Sequence, residues 1–402
     1  MKGNLLVGQS GGPTAVINAS LAGVIDAAQS APQVERTLGM RFGIEGFLEE
    51  RLVELDKLRE SDRTRLGRTP ASALGSCRYK LEDEELPKVK ELLEKYNVRF
   101  FLYIGGNDTM DTIHRVVTYC RDQGYELHGV GIPKTVDNDL YGTDHAPGYP
   151  SAARYVALTA QQAGRLASDM RRVDRFAILQ TVGRDAGWLA ASAALAKGEP
   201  KQPPHLIYVP EQPITPDRLL ADVRETIESF GWAYIVVGEG VLWEDGTPVS
   251  ASEARDRFSN IEFGAMGGAS AAANIHHLIH QESGYRGEFQ IPESMMMAGS
   301  DRVPELDRTE AFGAGQQGVN LAVSGSSGVM VSIERKPGMV YGSGFVTVEL
   351  EKVANATKKM PEEMLVHGFV SETFLDYLRP LVGELPEYAD LEQFEMEVGS
   401  AL

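Results

Sequence analysis

The sequence predicts an α/β protein with two Rossmann-like lobes, each built on a mostly parallel sheet flanked by helices. Three observations predict it. Short apolar runs alternate with helical patterns along the chain, as in βαβ units. Several of these runs end in glycine followed by polar or charged residues, the usual strand-to-helix turn of such folds. The 402 residues suffice for two core-bearing lobes in one unit.

In order, residues 5–7 read as a short strand and 15–28 as a helix. Residues 99–104 form a buried strand, 109–123 a helix and 128–132 another strand. Residues 175–181 and 234–237 are two further strands, each followed closely by Gly and a charged residue. Residues 201–204 and 260–270 read as loop-rich breaks. From residue 361 onward apolar residues fall at helical spacing, so a helical tail packed on the body is expected. The expected division is 1–140 plus about 305–360 for one lobe, 141–304 for the other and 361–402 for the tail.

Composition narrows the function. A hydrophobic share of 43% and a charged share of 24% are ordinary for a soluble enzyme. The net charge of −18 argues against capture of nucleic acid or an anionic membrane. An acidic chain that binds phosphorylated ligands must gather its cations locally, which makes single Arg and Lys positions informative. Cys77 and Cys120 form no disulfide framework and suit buried positions in a reducing compartment. No run approaches the ~18 apolar residues of a membrane helix, and the first residues enter a glycine turn rather than a signal peptide. A cytoplasmic location is expected.

Three motifs carry chemistry. Gly8-Gln9-Ser10-Gly11-Gly12-Pro13-Thr14 follows the first strand and opens a helix. Paired glycines let backbone N–H groups approach a phosphate, the helix start adds partial positive charge, and Pro13 suits a first helical turn. A plain tight turn would read the same. Gly105-Gly106-Asn107-Asp108-Thr109 repeats the arrangement after the next buried strand, and a polar-capped turn is again the bland alternative. Pro133-Lys134-Thr135-Val136-Asp137-Asn138-Asp139 sets two carboxylates around an Asn, with a cation three residues before the first. Phosphoryl transfer to a hydroxyl needs such a base and such a cation. An isolated match would be an Asn/Asp turn, but this one follows a buried strand beside two phosphate-type turns.

In this order and at these separations, the three motifs resemble the phosphofructokinase family, and the PKTxDND form resembles its pyrophosphate-dependent branch. Gly75-Ser76-Cys77-Arg78, Arg175, Val182-Gly183-Arg184, Pro210-Glu211, Gly238-Glu239-Gly240 and Asp307-Arg308 extend the resemblance over roughly residues 3–360. It implies the phosphofructokinase fold and phosphoryl transfer from pyrophosphate to the 1-hydroxyl of fructose 6-phosphate. It further implies a Mg²⁺ cofactor and a homodimer or homotetramer. Asp137 would be the base, with Asp139 and Thr135 beside it and Val136 on the sugar loop. Gly11, Gly12, Arg78, Gly106, Asp108, Thr109 and Lys134 would surround the donor. Val182, Gly183, Arg184 and Glu239 would grip the sugar phosphate, and Arg175 would reach a neighbouring subunit's sugar.

Donor choice follows from two positions. ATP-using relatives resemble GGDGS and PGTxDND, with Gly where this chain has Asp108 and Lys134. A carboxylate at 108 crowds and repels an α-phosphate, while Lys134 offers a compact positive charge to the departing phosphate. Two features depart from the pattern. Asn107 stands where most relatives have a metal-binding Asp, so it would offer only a neutral oxygen. The usual Gln-Arg before Asp307 is missing within 296–299, and Arg302 is the candidate replacement. An ATP-dependent enzyme, a sedoheptulose 7-phosphate kinase and a catalytically silent regulatory subunit are the alternatives. His276 and His280, one helical turn apart, lack a third zinc ligand and read as a packed helix face; Met295, Met296 and Met297 read as adaptable packing.

Overall fold

The computed structural model describes residues 1–250, 270–338, 340–354, 356–391 and 394. The first half of the chain contributes β1 (Gly3–Gln9), α1 (Ile17–Ser30), β2 (Val34–Met40), α2 (Gly43–Leu48), β3 (Leu52–Glu54), α3 (Glu60–Leu66) and α4 (Leu86–Lys95). Then come β4 (Val98–Gly105), α5 (Asn107–Asp122), β5 (His128–Pro133), α6 (Tyr149–Met170), β6 (Phe176–Thr181) and α7 (Trp188–Ser192). They are followed by β7 (Leu206–Tyr208), α8 (Pro216–Phe230), β8 (Ala233–Gly238), α9 (Ala271–Ser283), β9 (Gly287–Gln290), α10 (Ser294–Ala298) and α11 (Glu305–Val323). The remainder is β10 (Val329–Arg335), β11 (Ser343–Glu349), α12 (Leu350–Ala354), β12 (Leu365–Val366), β13 (Phe369–Val370) and α13 (Glu372–Val382).

Two sheets organise these elements. A seven-stranded sheet runs β11-β10-β5-β4-β1-β2-β3, and a four-stranded sheet runs β7-β8-β6-β9. Strands β10, β5, β4, β1 and β2 are mutually parallel, with antiparallel edges β11 and β3. The smaller sheet is wholly parallel. Apolar cores cover both faces of the larger sheet, which explains why VRFFLYIG of β4 is apolar at nearly every position instead of alternating. The second sheet likewise has a core on each face, one holding Leu179 and Val236 and the other Ile178 and Ile235.

Local chemistry sets several boundaries. Thr215 caps α8 by accepting from the Arg218 N–H, Pro216 opens the helix, and Gly231 closes it at φ 84°. Ser270 and Gly284 do the same for α9, so the expected 260–270 break ends in a helix cap; its residues 260–269 lie outside the described ones.

Two expectations differ from the structure. The first glycine turn does not open directly into a helix. α1 starts only at Ile17, leaving Pro13 in the turn, because Gly11 at φ 76° bends the chain around another side chain first. The tail is not simply helical. Its described residues contain a 3₁₀ turn at Glu362–Met364, the β12–β13 hairpin, the helix α13 and an extended stretch whose Glu384, Pro386 and Ala389 carbonyls accept from Arg154, Gln161 and Arg165 of α6.

Candidate active site

The carboxyl ends of β1, β4, β5, β6 and β8 all carry loops into one cleft between the sheets. The loop after β5 occupies its centre. Lys134 is only 4% exposed. Its Nζ donates to the Gly12 carbonyl at 2.7 Å, tying the third motif to the first. Gly11 is required there, since a Cβ at that position would meet the Lys134 Nζ at 3.0 Å and the backbone has φ +76°. Burial pushes the Lys134 ammonium down to about 8, while Asp137, Asp139 and Asp108 hold its proton on.

Asp137 is half-buried, and burial pushes its carboxyl up to about 7; the charges of Asp139 and Glu239 add to this, and those of Arg184 and Lys134 oppose it. Its own N–H donates to the Thr135 hydroxyl at 3.1 Å, and its Oδ1 is a buried atom with no partner among the described residues. Asp139 is also raised by burial. A carboxyl poised near neutrality, with a free oxygen and a nearby ammonium, has the properties of a general base.

The second glycine turn faces this loop. Gly106 precedes α5, and the exposed Asp108 lies in that helix's first turn within electrostatic reach of Lys134. Asn107 Nδ2 donates to Asp139 at 3.4 Å, which leaves its buried Oδ1 without a partner. Thr109 is buried, with its side chain packed over Gly105, where a Cβ would lie 2.0 Å from the Thr109 Oγ1. From the third side, Arg78 is exposed and close enough to influence both Lys134 and Glu239. A buried network steadies its loop. Asn18 donates to the Thr69 and Ala71 carbonyls, Gln9 accepts from the Leu74 N–H, and the Gly11 N–H meets the Cys77 carbonyl at 3.1 Å. The Gly11 N–H is thus already taken, and any phosphate contact in this turn falls to its neighbours and to Lys134.

The β6 and β8 loops close the far wall. The Gly183 N–H donates to Glu239 at 3.2 Å, and Gly183 has φ +120°. Gly240 lets the two loops touch: a Cβ there would lie 1.7 Å from the Arg184 carbonyl oxygen. Burial raises the Glu239 carboxyl to about 7. Arg184 is exposed and acts on both Asp137 and Glu239.

The Phosphofructokinase family matches residues 4–322 of this sequence. The chain belongs to the phosphofructokinase family. It is 38% identical over 394 residues to the pyrophosphate–fructose 6-phosphate 1-phosphotransferase of Xanthomonas campestris pv. campestris, covering 96% of this chain and 93% of that one. The Methylococcus capsulatus protein of the same name is 36% identical over 406 residues, covering 96% of each chain. The crystal structure of a pyrophosphate-dependent phosphofructokinase from Marinobacter aquaeolei matches with a TM-score of 0.86 at 30% identity, covering 97% of this chain and 94% of that one.

Not every expected residue of this phosphofructokinase reaches the cleft of its own chain. Arg175 precedes β6 at the opposite end from Val182, roughly 23 Å away at strand spacing. Its guanidinium lies 5.7 Å from the Tyr285 ring, with Nε buried and unpartnered. Arg302, the candidate replacement for the missing Gln-Arg, bonds Thr159 Oγ1 at 3.1 Å and stacks 4.5 Å over Tyr155, both on α6. Val136 points into the hydrophobic core, and the Val182 N–H meets the Met296 sulfur at 3.5 Å. Glu211 binds the Gly187 and Met360 N–H groups, so it braces the loop before α7.

Asp307 is completely buried and caps α6 from a distance, accepting from the Gly148 and Ser151 N–H groups and the Ser151 hydroxyl. His276 and His280 have their ring nitrogens on the Gly287 and Tyr285 carbonyls. Among the described residues no cluster of three His, Cys, Asp or Glu side chains could hold a metal, and no helix is long and apolar enough to cross a membrane.

Proposed function

We propose that this chain transfers a phosphoryl group from pyrophosphate to the 1-hydroxyl of fructose 6-phosphate, giving fructose 1,6-bisphosphate and phosphate. The step runs in both directions and serves glycolysis or gluconeogenesis. One observation carries the reading: the Lys134 ammonium bridges to the first glycine turn at Gly12, with Asp108 beside it and Asp137 three residues on. The names of the Xanthomonas and Methylococcus relatives support both donor and acceptor.

In this reading the Asp137 carboxylate takes the proton of the sugar 1-hydroxyl as that oxygen attacks the terminal phosphorus. The bridging P–O bond breaks, and Lys134 with Arg78 balances the charge that collects on the departing phosphate. Asp139 and Thr135 hold the loop. Gly183, Arg184 and Glu239 receive the sugar phosphate, and Asp108 excludes a nucleotide by charge and bulk where an α-phosphate would lie.

A divalent cation, which we assign as Mg²⁺, fits this donor set. The orphaned Asn107 Oδ1 offers one neutral oxygen, and among the described residues no preformed carboxylate cage competes, so the donor's own phosphates would supply most ligands. When bound, such an ion neutralises phosphate charge.

We also assign a homodimer as the minimal unit. Arg175 stands too far from its own cleft to act there, and Leu166, Met170 and Val173 leave an exposed apolar stripe just before it. A second copy covering that stripe would receive Arg175 at its sugar 6-phosphate. The direct test is ³¹P NMR of the purified protein with pyrophosphate, fructose 6-phosphate and Mg²⁺. Growth of orthophosphate and a sugar 1-phosphate resonance is expected. Pyrophosphate left unchanged, with no sugar product, would refute the reading.

A further inference from the structure

The third motif is held from behind by a part of the chain that lies beyond the family match at residue 322. Asn138 sits between the two carboxylates with φ +56°, the left-handed region that Asn enters more readily than most residues. Its side chain turns away from the cleft. Oδ1 accepts from the Ala146 N–H at 3.1 Å and from the Lys358 Nζ at 3.0 Å, while Nδ2 donates to the Tyr377 hydroxyl at 3.0 Å. The Lys358 ammonium also donates to the Thr143 carbonyl at 3.1 Å and the Asp144 carbonyl at 2.8 Å, so all three of its hydrogens meet oxygens of one loop. The Lys358 backbone N–H donates to the Asp139 carbonyl at 2.7 Å, and Leu140 pairs with Thr357 in an antiparallel bridge. Tyr377 of α13 closes the arrangement by donating to the Asp144 carbonyl at 2.9 Å.

This is a buried polar network whose loose end is the carboxylate loop. Trp188 lies over the ammonium at 5.0 Å and donates its indole N–H to the Lys358 carbonyl, fixing the strap in turn. Burial lowers the ammonium to about 7, against the pull of Asp144 and Asp139. Neither residue touches the cleft in place of Asp137, so neither is a candidate base.

We propose that Lys358 and Tyr377 are positioning residues: through Asn138 and the Thr143–Asp144 carbonyls they fix the direction in which Asp137 meets the sugar hydroxyl. The inference rests on Asp137 being the base of the proposed transfer. A small rotation of a base away from its proton costs rate while leaving substrate contacts in place.

The test is a double-mutant cycle in the full-length protein, with pyrophosphate, fructose 6-phosphate and Mg²⁺. Lys358→Met should lower kcat ~100-fold and Tyr377→Phe ~10-fold, each with both KM values within ~3-fold of the parent. In an Asp137→Asn background the same changes should cost less than ~3-fold, because the group they aim is gone. A structural role alone would cost the same factor in both backgrounds, and that result overturns the proposal. So does an unchanged kcat in either single variant. If Lys358→Met shows no cooperative melt, Tyr377→Phe, which removes one hydroxyl, decides the matter by the same criteria. Failure of the donor reading is separate: a parent enzyme inactive with pyrophosphate but active with ATP sinks that reading, and the cycle is then read with ATP.

Discussion

Asp137→Asn is expected to move activity and stability in opposite directions. The amide cannot take a proton, so kcat should fall ~10³-fold, within the range for loss of a general base. The stability effect follows from the raised pKa. The folded state shifts the Asp137 carboxyl from 3.8 up to about 7, so it holds the proton more tightly than the unfolded chain does. The contribution of Asp137 to stability is therefore full below pH 4, declines as pH rises toward 7, and stays lost above it. A shift of about three units corresponds to ~4 kcal/mol. Asp137 is half-open to the cleft, and solvent screening cuts this to ~2 kcal/mol. For 402 residues at ~2.1 cal/mol/K each, that is a rise in Tm of ~2 °C for the variant at pH 8. At pH 4 the difference should vanish. Differential scanning calorimetry at both pH values, with the pH profile of kcat/KM, provides the assay. The parent's acid limb should lie near 7 and disappear in the variant. A variant that melts lower than the parent at pH 8, or keeps that limb, would show that another group is the base.

Gly240→Ala sets a Cβ 1.7 Å from the Arg184 carbonyl oxygen and forces the two sugar loops apart. A loss of ~1–3 kcal/mol in chemical denaturation and a ~10-fold rise in the KM for the sugar are expected; an unchanged KM would contradict the assignment of these loops. Arg175→Ala and Asp137→Ala should each be nearly inactive. Co-refolded in equal amounts they should recover about a quarter of parental activity, since half of the dimers are hybrids with one intact site. No recovery would argue against shared sites.

Much of this molecule is written in local sequence. The continuous apolar runs of β4 and β8 and the Thr215-Pro216 and Gly231 punctuation of α8 mark elements that need only neighbouring residues to form. The first two motifs announce themselves because phosphate-type turns require glycine at fixed places, and the third by two carboxylates set behind a lysine. The start of α1 is not legible locally, because the Gly11 bend packs against Lys134, far along the chain. Asp307 stands in a recognisable Asp-Arg pair, but its capping of α6 from 159 positions away has no local signal. Lys358 and Tyr377 carry no local signature: their partners stand 220 and 239 positions off, and only the folded loop gives them a purpose. The charge of Arg302 is visible in the sequence, but its packing over Tyr155 of α6 cannot be read from spacing.

Donor preference tests the roles of Asp108 and Lys134 most directly. At equal Mg²⁺ and saturating fructose 6-phosphate, kcat/KM for pyrophosphate should exceed that for ATP by at least ~10²-fold, and Asp108→Gly should narrow the gap. A higher value with ATP in the unaltered protein would contradict those roles.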